Sequence, residues 1–324
     1  MSFVSLLILL FLSLYSLEED TSYSMILKYV RKNIVNQAYL NLPKRQSTNI
    51  LKMCNSINKE KESFSLNDYE LTYLVYYWIA QNLQIDCLNY NSKYESALIA
   101  FNEGISSYKG ISALFSTMMT NLGILNQIIE GGLRTPTENT KNGEIEEILE
   151  HIWSVVSIDG YYFLIDVMSG MGRCDGNSFS KDYTDFYFGT VPEYLIRSHF
   201  PDSDKWQLLD SHISEKKFKS WPLLGKNFYL NGFDTINPDI RTIKISSDLQ
   251  LTLTYDKSRN LDYVCKQVIY NGSSYTFITH YKCSLSNGIF KATFSGNEEM
   301  NYFVMYAGKR EDDKLRSLVV YKVN

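Results

Sequence analysis

The sequence predicts an α+β fold: helices packed on an antiparallel sheet, with a β-sandwich after them. Three observations carry that expectation. Apolar residues recur at three- and four-residue steps through the first part of the chain. An Asp159-Gly160 turn joins two apolar runs near the middle. From about residue 226 onward, short alternating runs are separated by regular turn signals. Of the 324 residues, 44% are hydrophobic and 21% are charged, proportions of a chain that buries a core. The length suggests about two domains. The net charge of −4, with no basic stripe, argues against nucleic acid as a partner.

Residues Phe3 to Leu17 form a continuous apolar run, followed at once by Glu18, Glu19 and Asp20. The run is shorter than the roughly 20 residues a membrane span needs and has the length of a secretory h-region. It predicts a signal peptide over 1–17, cleaved after Ser16, and a secreted or extracellular product. The run carries no positive n-region, and the alternative is a short membrane anchor. A membrane is then met only through this segment, if it stays uncleaved. The next elements are helical. Asp68 to Ala80 has helical spacing, with Asn67 or Asp68 as its cap. Lys109 to Leu122 forms a second helix that ends at Gly123, with Leu114, Phe115, Met118 and Met119 on its apolar face. Arg134 to Gly143 is polar and predicts a loop. Strands His151–Ser157 and Tyr161–Asp166 follow. The stretch 184–222 is mixed, punctuated by Pro192, Pro201 and Pro222. The sandwich strands are expected at Arg241–Ile245, Leu249–Tyr255, Tyr263–Tyr270, Tyr275–Tyr281, Ile289–Ser295, Tyr302–Ala307 and Leu318–Lys322. The domain boundaries fall at 18–225 and 226–324.

In a secreted chain some of the five cysteines pair. Cys265 and Cys283 flank a turn at 271–274, and Cys54 and Cys87 make the other expected couple, leaving Cys174 odd. No CxxC occurs, so no structural zinc, metal or cofactor is expected. Asn271-Gly272-Ser273 is a glycosylation acceptor pattern placed in that turn.

A two-residue turn at Asp159-Gly160 fixes a register. Ile158 faces Tyr161, Val155 faces Leu164 and Trp153 faces Asp166. His151 shares a face with Trp153, so His151 and Asp166 are diagonal neighbours, about 7–8 Å apart along the backbone. A carboxylate there accepts the imidazole N–H and fixes its tautomer, as the third member of a catalytic triad does. On these residues alone, an ordinary hairpin carrying a His and an Asp is the competing reading.

A wider pattern surrounds the hairpin. Trp78-Ile79-Ala80-Gln81-Asn82-Leu83-Gln84-Ile85-Asp86, His151-Ile152-Trp153-Ser154-Val155-Val156 and Asp159-Gly160-Tyr161-Tyr162-Phe163-Leu164-Ile165-Asp166 occur in that order. Asp185-Phe186-Tyr187-Phe188, Pro192-Glu193, His199-Phe200-Pro201 and Trp206-Gln207-Leu208-Leu209 come after them. Together they resemble the transglutaminase-like superfamily, of the kyphoscoliosis peptidase type, over roughly residues 70 to 225. The resemblance implies a cysteine-protease-like transglutaminase core with a Cys-His-Asp triad. It places the catalytic His at His151 and the catalytic Asp at Asp166. It also implies a nucleophilic Cys at the start of a helix that ends in Leu-Gly-Ile, here Leu122-Gly123-Ile124. An ungapped count back from Leu122 puts Tyr108 at that position. Gly110 and Leu114-Phe115 then match the motif's glycine and Leu-Phe. Where the family has Trp-Gly after the Asp, this chain has Ser169-Gly170.

A thiolate works in such a site because the helix N-terminus and the His lower the thiol pKa. A phenol, with a pKa near 10 and a far larger ring, does not replace it. Its ring is expected to fill the pocket with its hydroxyl near His151. Alternative nucleophiles are Ser112 in Gly110-Ile111-Ser112, which needs a four-residue deletion; Ser107; and Cys174. His199 reads as structural, His212 and His280 as surface or strand residues. Glu144, Glu146, Glu147 and Glu150 form a solvated acidic approach to His151, with a metal or basic partner as the alternative. The sequence thus implies a secreted transglutaminase-like pseudoenzyme that binds a protein or extracellular surface. The competing expectation is an active acyl-transferase or peptidase using Ser112 or Cys174, and a purely structural extracellular module is a third.

Overall fold

Helices come first, in α1 (Lys32–Leu40), α2 (Ile50–Phe64), α3 (Asp68–Asn82), α4 (Ala97–Glu103) and α5 (Tyr108–Asn121). These come from a computed structural model describing residues 22–89, 96–136, 146–175, 177–244, 249–255, 262–270, 275–279, 282–286, 289–294, 302–308 and 316–323. The N-terminal apolar run, the Asn271-Gly272-Ser273 pattern, His280 and the side chains of Cys265 and Cys283 lie outside the described residues. Among the described residues no helix is long and apolar enough to cross a membrane.

The start of α3 follows from its cap. The Asn67 side chain accepts from Glu70 N, and the Glu70 carboxylate accepts from Asn67 N, which closes a capping box. Leu71 to Tyr76 and Trp78 to Ala80 are all buried, so α3 runs through the core rather than along its surface. Helix α5 is capped by Ser107, whose Oγ accepts from Lys109 N, and ends before Gly123 at φ 77°. That left-handed backbone suits glycine.

Strands β1 (Gln84–Ile85) and β2 (Ile105–Ser106) make a short parallel pair beside these helices. The central sheet is built from β3 (Leu125–Pro136), β4 (Glu146–Ile158) and β5 (Tyr161–Ile165), ordered β5-β4-β3. The turn residues Asp159 and Gly160 have φ of 54° and 82°, the two positive values of a type I′ turn. Ile158 faces Tyr161 and Val155 faces Leu164, as the turn dictates. The ladder ends at Ser154 and Ile165, so the expected Trp153–Asp166 pairing does not form. Asp166 leaves the strand instead and caps the next helix. Strand β3 also runs on to Pro136, where the sequence predicted a loop from Arg134. Arg134 is buried there because its guanidinium donates to the carbonyls of Phe218 (3.3 Å) and Trp221 (2.7 Å).

Both faces of this sheet are covered. Val156 and Ile158 of β4 pack with Ile111, Phe115, Met118 and Met119 of α5. The alternate residues Trp153 and Val155 join Ile129, Leu164, Leu195 and Trp206 in a second cluster. That alternation is the period of two of a β-strand.

After β5 come α6 (Val167–Met171) and the ribbon β6 (Gly172–Asp175) and β7 (Ser178–Lys181). Gly170 in α6 lies against α3, where an added Cβ would sit 1.8 Å from Tyr76 Oη. Tyr76 Oη donates to Thr184 O at 2.6 Å and its ring is buried, so it does not move aside cheaply. Gly170→Ala is expected to destabilise the fold by about 1–3 kcal/mol, the cost of overpacking a tight core. A urea unfolding curve superimposable on that of the wild type refutes this.

Cys87, just past β1, is bonded to Cys174 in β6. The expected Cys54–Cys87 couple is therefore wrong, and Cys174 is not odd. Cys54 is an unpaired thiol on the buried face of α2, and burial pushes it up to about 11. The disulfide closes 87 residues of sequence and ties the segment after Asp166 to α3 and β1. Replacing both Cys87 and Cys174 by Ala is expected to cost about 2–4 kcal/mol through the unfolded chain's regained freedom. Denaturant midpoints under non-reducing conditions read this out, and an unchanged midpoint contradicts it.

The chain continues through α7 (Pro192–Leu195), β8 (His199–Pro201), α8 (Glu215–Ser220), β9 (Leu223–Leu224) and α9 (Lys226–Leu230). Strand β8 adds to the central sheet next to β3. Beyond lie β10 (Phe233–Asn237), β11 (Thr242–Ile243), β12 (Leu249–Tyr255), β13 (Asp262–Tyr270), β14 (Tyr275–Thr279), β15 (Lys282–Ser286), β16 (Ile289–Phe294), β17 (Tyr302–Gly308) and β18 (Arg316–Val323). They form two sheets, β10-β12-β16-β15 and β11-β18-β17-β13-β14, with β9 pairing β18. Leu253 of the first sheet and Met305, Val319 and Tyr321 of the second belong to one core. Strands β10 and β15 escape the sequence reading, the latter because Lys282–Ser286 follows β14 too closely. The fold is α+β.

Candidate functional site

Two imidazoles and one carboxylate meet beside the central sheet, just past the end of β5. His151 lies on β4 opposite Gly131 of β3, and His199 lies on β8 opposite Leu133. Gly131 and Leu133 are two residues apart on one face, so the two imidazoles rise on the same side of β3. Gly131 makes this possible. A Cβ there would lie 2.3 Å from Phe200 O and 2.8 Å from Trp153 Cη2, so β8 closes on β3 only over a glycine.

Asp166 reaches across from the end of β5. Its Oδ2 lies 2.7 Å from His151 Nε2 and 3.0 Å from His199 Nε2. Its Oδ1 accepts from Ser169 N at 3.0 Å, which makes Asp166 the cap of α6. His151, Asp166 and His199 are each 1% exposed. Burial by itself would raise the Asp166 carboxyl, but the imidazoles of His151 and His199 overturn that and hold it well below the usual carboxylate range. Burial lowers His199 below its ordinary value against the pull of Asp166. An ionised carboxylate only accepts, so both Nε2 atoms donate to it. Ser198 Oγ, 2.8 Å from His199 Nδ1, then donates to that nitrogen.

The Trp153 indole lies against both rings, with centroids 6.1 Å from His151 and 5.3 Å from His199. Its Nε1–H is buried without a hydrogen-bond partner. With His151 Nε2 committed to Asp166, proton transfer to or from a reacting group falls to Nδ1.

Tyr108 is the first residue of α5, and its ring centroid is 5.8 Å from that of His151. The side chain is 1% exposed. Its hydroxyl donates to Glu150 Oε2 at 3.4 Å. Glu150 adjoins His151 on β4, so the phenol meets the imidazole with its ring and the neighbouring carboxylate with its hydroxyl. Burial pushes the Tyr108 phenol above its ordinary value, Lys109 opposes that and Glu150 adds to it. The structure therefore brings Tyr108, His151 and Asp166 together.

The alternative nucleophiles fall elsewhere. Cys174 is in the disulfide with Cys87. Ser112 follows Tyr108 by one helical turn, but its Oγ donates to Ile152 O at 2.9 Å. Ser107 Oγ accepts from Lys109 N as the helix cap. Among these side chains the sequence undervalued His199, read as structural although it shares the Asp166 carboxylate. The signal was Gly131-Gly132, since adjacent glycines inside a strand mark a close backbone approach.

The chain is 26% identical over 185 residues to kyphoscoliosis peptidase of Homo sapiens, covering 55% of this chain and 27% of that protein. It is 26% identical over 186 residues to kyphoscoliosis peptidase of Mus musculus, covering 55% of this chain and 28% of the relative. The matched region thus spans little more than a quarter of the length of the curated relatives. A solved structure from Cytophaga hutchinsonii, assigned as a cysteine protease, is similar at a TM-score of 0.26 and 15% identity over 45% of each chain. No protein-family model matches the chain. The two peptidases bear out the resemblance drawn from the sequence motifs.

Proposed function

We propose that this chain, a transglutaminase-like protein related to kyphoscoliosis peptidase, has lost acyl-transfer catalysis and acts by binding a protein or extracellular surface. The observation that carries this reading is the buried Tyr108 ring against His151, at the helix start where the resemblance calls for a thiol. A thiolate there is generated by the helix N-terminus and a neighbouring imidazole. A buried phenol, pushed above its ordinary pKa, gives neither the nucleophile nor the room for an acyl group. The disulfide on Cys174, the bond from Ser112 to Ile152 O and the capping role of Ser107 support this reading over a displaced nucleophile. The imidazole–carboxylate pair is then a remnant of a Cys-His-Asp triad. A secretory location is part of the proposal, supported by the apolar run at residues 3–17 and by a disulfide, which persists in oxidising compartments.

The experiment is labelling of the full chain with an acyl-donor probe and with a thiol-directed probe, on the wild type and on His151→Ala. Equal labelling of the two is expected. An adduct that forms on the wild type and vanishes in His151→Ala means that an active nucleophile exists, and the proposal fails.

A further inference from the structure

We infer that His151, Asp166 and His199 form a binding site for a divalent transition-metal ion. The inference rests on the reading above in one respect: no thiol draws on His151. The three ligand atoms lie within 4.8 Å of one another and all three side chains are buried. Two imidazole nitrogens and one carboxylate oxygen make the donor set that holds zinc or ferrous iron in many metal enzymes. The geometry is close to what an ion asks for. Ligand atoms each about 2.1 Å from one ion, and at right angles, stand roughly 3 Å apart. The two observed nitrogen–oxygen edges are 2.7 Å and 3.0 Å. Those two edges match neighbouring ligand positions on one ion, and the third, between the two nitrogens, is no longer than 4.8 Å.

Binding needs each Nε2 to lose its proton, and the surroundings of His199 provide for this. A neutral imidazole moves its proton to Nδ1 with no net release. His199 Nδ1–H then donates to Ser198 Oγ at 2.8 Å, and Ser198 Oγ turns its own hydrogen to Leu195 O at 3.4 Å. That is the outer-shell bond that fixes a ligating histidine's tautomer. Asp166 is likewise already held by Ser169 N on its other oxygen. The Trp153 indole lies beside both imidazoles, and its Nε1–H is buried without a hydrogen-bond partner. The ion adds two positive charges where the carboxylate supplies one negative charge, and it takes over the role of the two protons on Oδ2.

The test is titration of the chelator-treated full chain with Co2+ and with Zn2+. Stoichiometry is read by elemental analysis, and Co2+ is also followed by its visible absorption. One equivalent is expected, with paramagnetically shifted imidazole N–H resonances in the wild-type Co2+ form, a readout that needs no variant. His199→Ala abolishes uptake. Ser198→Ala weakens it by about 10–100-fold. His212→Ala, on the exposed segment before α8, leaves it unchanged. Thiol labelling of Tyr108→Cys in the presence of chelator, with no metal bound, reports separately on the proposed loss of catalysis. No uptake of either ion, or uptake that survives His199→Ala, overturns the inference.

Discussion

Tyr108→Cys is expected to create a reactive thiol that depends on His151. The substitution replaces a buried ring at the first position of α5 by a small side chain, with the imidazole of His151 alongside. A cysteine there feels the positive end of the helix dipole and, on proton transfer, an imidazolium. Its pKa should fall from about 8.5 by more than one unit, which at pH 6 means at least about a tenfold gain in thiolate. Alkylation at pH 6 reads this out, with the adduct located by mass spectrometry. The buried Cys54, pushed up to about 11, reacts slowly in the background. Adding His151→Ala should slow the introduced thiol by about tenfold or more. Equal rates with and without His151 mean that the imidazole does not serve this position, and the alignment of Tyr108 with a nucleophile fails.

Asp166→Ala should be the most destabilising single substitution in the site, at about 3–5 kcal/mol. The carboxylate satisfies two buried imidazoles and caps α6. Its removal leaves two buried N–H groups unpaired, and that desolvation cost exceeds the worth of the bonds themselves. The same carboxylate gives a pH dependence. Its folded pKa lies below the unfolded value near 3.9, so below about pH 4 the unfolded chain binds the extra proton and stability falls as the pH drops. His199 is also lowered on folding. Below about pH 6.5 the unfolded chain again binds more protons, and stability declines from there downward. Both losses are absent above neutral pH. Urea unfolding at pH 7.5, 5.5 and 3.5 should show a two-stage decline, and Asp166→Ala should flatten the acid stage. A loss under about 1 kcal/mol at pH 7.5 would show the carboxylate to be a minor element.

The hairpin was legible because its determinants are local. Asp159-Gly160 dictates a tight turn, a tight turn dictates register, and register brings His151 near Asp166. Helices α3 and α5 were legible for the same reason, through a cap at Asn67 and the Gly123 stop. The rest depends on long-range packing. Arg134 looked like a loop residue until the carbonyls of Phe218 and Trp221 received its guanidinium. The pairing of Cys87 with Cys174 depends on where the ribbon after α6 folds back, which spacing does not encode. His199 reached the site through β8 joining β3, an arrangement hinted at only by Gly131. Tyr108 was placed by resemblance and an ungapped count, and the contact of its hydroxyl with Glu150, the residue before His151, was not foreseen.

The central claim is that a phenol ring faces the His151 imidazole. The direct measurement is a nuclear Overhauser spectrum of the labelled chain, read between the Tyr108 ring protons and the carbon-bound protons of His151. Cross-peaks between the two rings are predicted, with His151 insensitive to Ser112→Ala. Missing ring-to-ring peaks, together with contacts from His151 to the β-protons of a serine or cysteine, would contradict it.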